Sequence, residues 1–269
     1  MTTPLLSPDL TALAAQLGGT GKPIRWEELT WPEAGDIAAG FHTAIVPVGA
    51  VEQHGPHLPL GVDAYICEAV ALCVSALTAI PVTPPVWYGV SASHGDFAGT
   101  ISLRPETMIA MMEDVLESLY VRGIRQFVLL NGHIWNSSVL DVSAEKLRVR
   151  HSDARVRALG YVTMYPGSEV DGHVRFGRAL MHANHFETSV MLHLHPDLVR
   201  MDKATSHRDV DSFWDYRMDQ VSETGVWGRD VAQANAAHGR AEFERCVVTT
   251  AKAVAAAMRE PWPDRTHRP

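Results

Sequence analysis

Cysteine, positive charge and long apolar runs are scarce in this sequence, and each scarcity excludes something. The 269 residues include three cysteines, Cys67, Cys73 and Cys246, an odd number with no CxxC pair. A disulfide framework and a thiolate zinc knuckle are therefore not expected, and reduced, buried thiols in a cytoplasmic protein are. Lys plus Arg total 23 against 31 Asp plus Glu, a net charge of −8. That leaves no basic stripe to neutralise a phosphate backbone, so no nucleic-acid partner is expected. No apolar run approaches the ~18 residues of a membrane helix, so no membrane partner is expected either. The N-terminal MTTPLLSPDLTALAAQLGG lacks a basic region and an isolated apolar stretch, and no secretory leader is read there. Repeats, low-complexity blocks and Gly/Ser linkers are missing too. The whole chain, 1–269, is therefore read as one domain, with 1–25 an N-terminal extension and 203–269 a C-terminal tail and helix.

What is present is alternation. Thr43 to Val48 (TAIVPV) and Arg125 to Leu130 (RQFVLL) are short and mostly apolar, the pattern of strands buried on both faces. Ala154 to Met164 reads as a third strand. Helical stretches lie between them: Ala64 to Ala79, Asn136 to Arg150, and Pro105 to Arg122 with Met108, Met111, Met112, Val115 and Leu119 on one face. Helices are also expected over 4–17, within 26–40, where Pro32 suits a first turn, and over Ala234 to Met258. Ile80 to Val86 reads as extended but broken by prolines. Strands alternating with helices imply βαβ crossovers and a mostly parallel sheet, with ligands beyond the carboxyl ends of the strands.

Histidine is the unusual abundance, with 14 residues, several beside Gly, Asp or Glu in non-periodic stretches. In the loop Val51 to Asp63, Glu52 and His54 are two apart, so both project to one side of an extended segment. Asp63 follows a Gly/Pro turn that can return it towards them. His133 leaves the second buried strand at the same end, which is the reason to join the two loops into one site. One imidazole and two carboxylates suit zinc, manganese or iron, and a bridging carboxylate is the usual device for two metals about 3.5 Å apart. A turn with incidental polar residues is the plain alternative for Glu52 and His54 alone. The third element is His182-Ala183-Asn184-His185-Phe186-Glu187, opening an apolar helix; His182 and His185 are i and i+3 and can share a face. Taken alone it reads as a capped helix start.

These pieces, LTWPE (29–33), AIVPVGAVEQHGPHLPLGVD (44–63), HGDFAGTISL (94–103), NGH (131–133) and HANHFETSVML (182–192), resemble the creatininase (creatinine amidohydrolase) family, in the family's order. The resemblance implies a three-layer α/β/α fold with a mostly parallel central sheet. It implies a dinuclear metal hydrolase acting on amide-type C–N bonds, often of cyclic substrates, and a homo-oligomer, frequently a hexamer. Carried over, Glu52, Asp63 and His133 resemble the ligands of one metal, and His54 with a bridging Asp63 the core of the second. His182 matches the catalytic histidine, a proton donor to the leaving nitrogen. Glu187 matches the acid before Thr-Ser and is read as an orienting residue. His94 falls on the substrate side.

The sequence also departs from that pattern. Trp135 stands where creatinine-hydrolysing members place an acid that completes the second metal site, and tryptophan cannot bind a metal. His185 stands where another branch has an acid, so His185 is expected as the replacement ligand. That swap favours zinc, with manganese or iron admissible, for two divalent ions per chain. Arg178, with Arg175 nearby, stands where creatinine enzymes carry a tryptophan and suggests an anionic group on the small-molecule substrate; solvated surface arginines are the alternative. Trp135 would form an aromatic wall, and creatinine itself is not expected as the substrate. A tail over 207–223 with Phe213, Trp214 and Tyr216 reads as a loop over the site or an oligomer contact. Two further readings keep the scaffold: hydrolysis of a C–C bond or lactone of a cyclic ketone, and a non-catalytic binding or assembly subunit.

Overall fold

The computed structural model describes residues 7–40, 42–160, 182–207 and 216–261. Among them three strands, β1 (Thr43–Val48), β2 (Gln126–Asn131) and β3 (Arg155–Gly160), form a parallel sheet in the order β1-β2-β3. The register sets Val48 opposite Asn131 and Asn131 opposite Gly160, so the strands end level and their exit loops emerge together. The helices are α1 (Pro8–Leu17), α2 (Trp31–Gly40), α3 (Val62–Thr78), α4 (Pro105–Tyr120), α5 (Ser137–Arg150), α6 (His185–Leu194), α7 (Met218–Val221) and α8 (Ala236–Arg259).

Successive strand residues face opposite sides, and each side is covered. Ile45, Val128 and Leu130 pack with residues of α1, α3, α6 and α8. Ala44, Val46, Phe127 and Leu129 pack with Met108, Met112 and Leu116 of α4, and with Leu140, Ala144 and Leu147 of α5. A mixed α/β fold with helices on both sheet faces is what the alternating sequence pattern implied. The proline-broken stretch 80–86 lies along the outer edge of β1, through isolated parallel pairs of Ile45 with Val82 and Val48 with Val86.

Two element boundaries matter for the site. Helix α3 begins at Val62 rather than Ala64, which puts Asp63 in its first turn, where a carboxylate suits the helix N-terminus. Gly132, just past β2, sits against that turn: a Cβ there would lie 2.5 Å from the Asp63 carbonyl oxygen and 2.8 Å from Cys67 Cβ. Only a residue without a side chain lets the end of β2 approach α3 so closely. The expected strand residues 161–164, the helical residues 4–6, and Phe213 and Trp214 lie outside the described residues; Tyr216 is exposed. No described helix is long and apolar enough to cross a membrane.

Candidate metal centre

The loop after β1 folds back on itself through the Glu52 backbone N–H, which donates to the Leu60 carbonyl at 2.8 Å. That closure returns Asp63 to Glu52 and His54, as the Gly/Pro turn suggested. Glu52, His54, Asp63 and His133 are all buried. Their ring nitrogens are sorted by backbone carbonyls, which can only accept. His54 Nδ1 donates to its neighbour's carbonyl, Glu52 O, at 3.0 Å, so Nε2 carries the lone pair. His133 Nε2 donates to Val90 O at 3.0 Å, leaving the Nδ1 lone pair for the cluster.

Asp63 divides its carboxylate between the two rings. Oδ1 lies 3.3 Å from His54 Nε2 and Oδ2 lies 3.1 Å from His133 Nδ1, while Glu52 Oε2 lies 3.2 Å from His133 Nε2. Two atoms each ligating one ion at about 2.0–2.2 Å, at a tetrahedral angle, stand about 3.3–3.6 Å apart. The Asp63 spacings to His54 Nε2 and to His133 Nδ1 are close to that separation, while Glu52 Oε2 approaches the N–H side of the His133 ring. Glu52 Oε1 and Oε2, His54 Nε2 and Asp63 Oδ2 are buried with no hydrogen-bond partner among the described residues. Each such orphan costs about 1–3 kcal/mol, more when charged, so a cluster of them calls for a cation. The donor set of carboxylates and imidazoles fits zinc, manganese or iron.

The third element arrives through a strained residue. Ala183 is buried and left-handed, with φ of 52°. It separates His182, whose backbone pairs with Trp227 in both directions at 2.9 Å, from Asn184, the N-cap of α6. Asn184 Oδ1 accepts the Glu187 N–H at 2.9 Å, and the Asn184 N–H donates to Glu187 Oε2 at 3.3 Å. This capping box ties one Glu187 oxygen and leaves Oε1 3.9 Å from His54 Nε2. His182, His54 and Glu187 thus form a second group of converging ligand atoms beside Glu52, Asp63 and His133.

His185 was the residue expected to complete the second metal site, and the structure does not bring it there. Its ring packs against His238 of α8, with centroids 4.8 Å apart. Helix α8 presses on α6 at Gly239, where a Cβ would overlap Ser189 O, so the flank of α6 that carries His185 is covered by α8. Glu187, read from sequence as an orienting residue, points to the cluster instead. The Asn-x-x-Glu spacing of a capping box was the available signal for it. His94, expected on the substrate side, is buried with Nδ1 3.4 Å from Glu52 Oε1 and its ring 4.6 Å from that of His182. Trp135 sits half-buried on the single turn 134–136, between His133 and α5. Arg175 and Arg178 lie outside the described residues.

The electrostatics sort the same groups. Burial alone would lower both imidazoles of the cluster, but Asp63 pushes His54 up to about 10, and Glu52 with Asp63 pushes His133 up to about 9. Burial lifts the Glu52 carboxyl to about 7, against the pull of His133. Asp63, despite burial, is held below the ordinary carboxylate range by His54 and His133. By contrast, burial and then His54 hold His182 well below the usual imidazole range, and burial and then His133 hold His94 down at about 3. Positive charge is retained at His54 and His133 and refused at His182 and His94. A cation held by these rings would have to displace those protons, so its binding would be coupled to proton release.

Comparison with known proteins identifies the family of the chain. The family profile for creatininase, creatinine amidohydrolase, matches residues 27–254. A creatinine amidohydrolase of Pseudomonas putida is 34% identical over 195 residues, 67% of this chain and 75% of that protein. A mycofactocin precursor peptide peptidase of Mycobacterium tuberculosis is 34% identical over 234 residues, 81% of this chain and 86% of that protein. A crystal structure of creatinine amidohydrolase aligns with a TM-score of 0.76 and 28% identity, covering 89% of this chain and 100% of that one. Creatininase structures of similar likeness include a zinc-zinc form and a manganese form. By profile, sequence and fold together, the chain belongs to the creatininase family of metal-dependent hydrolases.

Proposed function

We propose that the chain hydrolyses an amide-type C–N bond of a small molecule, lactam or related cyclic compound at a dinuclear site, and that creatinine is not its physiological substrate. The observation that carries this reading is the divided Asp63 carboxylate, one oxygen to each of two imidazoles, among orphaned buried acceptors. Glu52, Asp63 Oδ2 and His133 would hold one ion; His54, Asp63 Oδ1 and Glu187 would hold the other, zinc being favoured and manganese or iron admissible. Two divalent ions held there would supply water of lowered pKa, towards ~7 in the best case, and would polarise the scissile carbonyl. His182 offers its Nδ1 lone pair, 3.4 Å from Glu52 Oε1, to take up a proton and deliver it to the leaving nitrogen. Burial keeps this ring neutral, with its Nδ1 lone pair in place. Trp135, in place of an acidic ligand, would form an aromatic wall of the substrate pocket.

The names of the 34%-identical relatives, an amidohydrolase and a peptidase, share amide C–N cleavage and support this bond class. Hydrolysis of a cyclic ketone is the second reading, supported by a 3-dehydro-scyllo-inosose hydrolase of Thermotoga maritima that is 28% identical over 166 residues. A homo-oligomer, hexameric by resemblance, belongs to the same proposal. Elemental analysis should find about two divalent ions per chain in the wild type and none in Asp63→Ala, since that substitution removes the shared ligand. Retention of two ions by Asp63→Ala would refute the bridge. A hydrolysis screen over creatinine, lactams, short peptides and lactones then separates the bond classes.

A further inference from the structure

Gln53 stands between two proposed ligands, Glu52 and His54, and is itself buried. Its side-chain oxygen accepts the Gly55 backbone N–H at 2.9 Å, which settles which end of the amide is nitrogen. Nε2 then has two hydrogens to place. One goes to the Gly225 carbonyl at 3.1 Å and the other to His94 Nδ1 at 2.9 Å. An amide NH2 can only donate, so His94 Nδ1 carries a lone pair and the ring proton sits on Nε2.

The Gln53 main chain acts on His182 from the other direction. Its carbonyl oxygen lies 2.7 Å from His182 Nε2, a distance at which two lone pairs would repel, so Nε2 holds the proton. The 3.1 Å approach of Gln53 Nε2 to His182 Nε2 is therefore packing and not a hydrogen bond. Glu52, His94 and His182 have ligand atoms close enough to suggest a further cation position. Gln53 argues against it, because the His94 lone pair facing Glu52 is already spent on the amide.

Gly225 supports this independently. It is left-handed, with φ of 75°, and a Cβ there would fall 2.0 Å from Gln53 Oε1. The segment that presents its carbonyl to the amide tolerates no side chain, and two residues later it pairs with His182 through Trp227.

We propose that Gln53 is a positioning residue: its amide and its carbonyl together fix the ring orientation and tautomer of His94 and His182. It holds both rings with the proton on Nε2, withholds His94 Nδ1 from the metal centre and leaves His182 Nδ1 for proton transfer. The last two roles rest on the proposed hydrolase function; the ring orientations and tautomers do not.

The test uses the full-length chain labelled with ¹⁵N-histidine and supplied with zinc, read by two-bond ¹H–¹⁵N correlation spectra and assigned by comparison with His94→Asn. The wild type should show His94 and His182 as Nε2–H tautomers. Gln53→Glu keeps the acceptor for Gly55 but replaces the donor facing His94, so the His94 proton should move to Nδ1 with zinc content unchanged. Gly225→Ala, which displaces the amide while leaving Gln53 in place, should shift the His94 Nδ1 resonance in the direction of a lost hydrogen bond. It also serves if Gln53→Glu does not fold. A wild-type His94 tautomer in folded Gln53→Glu, or Nδ1–H in the wild type, would overturn the proposal. A wild type that binds no zinc would overturn the hydrolase reading instead, and the His94 tautomer would still judge Gln53.

Discussion

Replacing Glu187 by Gln is the sharpest perturbation of the proposed second metal position, because it removes charge while keeping the cap. Glutamine retains an oxygen for the Asn184 N–H, now held at 3.3 Å, and leaves the N-cap bond to the residue-187 N–H, at 2.9 Å, untouched. What it loses is the anionic Oε1 aimed at His54 Nε2, on a side chain only 12% exposed. Removing partners outside the direct ligands typically lowers metal affinity 10–100-fold. Loss of a direct carboxylate ligand should therefore weaken the second ion by at least about 100-fold, or about 2.7 kcal/mol. The first ion, on Glu52, Asp63 and His133, should bind as before. His185→Ala is the paired control: it removes a ring that packs on His238, so it should leave two ions per chain. Its stability cost should stay within about 1–2 kcal/mol. Calorimetric zinc titration and elemental analysis after gel filtration read both variants. If His185→Ala lost one ion while Glu187→Gln kept two, the assignment of Glu187 would fall and the sequence-based choice of His185 would stand.

Three other outcomes follow from the same geometry and sequence. In the metal-free chain His54 titrates at about 10 and His133 at about 9, so both are protonated at pH 7 and zinc must displace them. The affinity for each zinc ion should rise by about one decade per pH unit near neutrality, since each displaces one imidazole proton, with Glu52, lifted to about 7, adding to the first; titration in buffers of different ionisation enthalpy should count about two to three protons released for two ions, and a flat profile would contradict it. Both shifts are upward, so they stabilise the metal-free fold fully below the ordinary imidazole pKa, and that stability is lost as pH rises through about 9 and about 10. Gly132→Ala drives a Cβ into the Asp63 carbonyl and should cost about 1–3 kcal/mol, a fall of several degrees in Tm with weakened metal binding; an unchanged melting curve would deny the close approach. Arg178→Met should raise KM for an anionic substrate about tenfold or more with metal content unchanged, and equal kinetics would remove Arg178 from the site.

Much of the fold was legible because burial on both faces writes a continuous apolar run. β1 spans the predicted Thr43–Val48, and β2 is displaced by one residue from the predicted stretch. The loops that leave those strands were legible for the same reason, and with them Glu52, His54, Asp63 and His133 as a group. The choice between His185 and Glu187 was not legible. A helical spacing says which residues share a face, but not which face turns to the cleft. Here that was decided by a left-handed Ala183, by the Asn184 cap and by α8 covering the flank with His238.

Local sequence therefore determined the strands, the parallel α/β layout and the four-residue candidate donor set, because period, burial and chain direction are properties of short segments. Tertiary structure alone decided how those donors are oriented and what surrounds them. The Gln53 amide reaches His94 across 41 residues, His182 lies 129 residues away, and Gly225 lies 172 away. No local pattern encodes such pairings. They exist only because the sheet brings its loops to one end, and there hydrogen-bond chemistry fixes which nitrogen of each ring holds the proton.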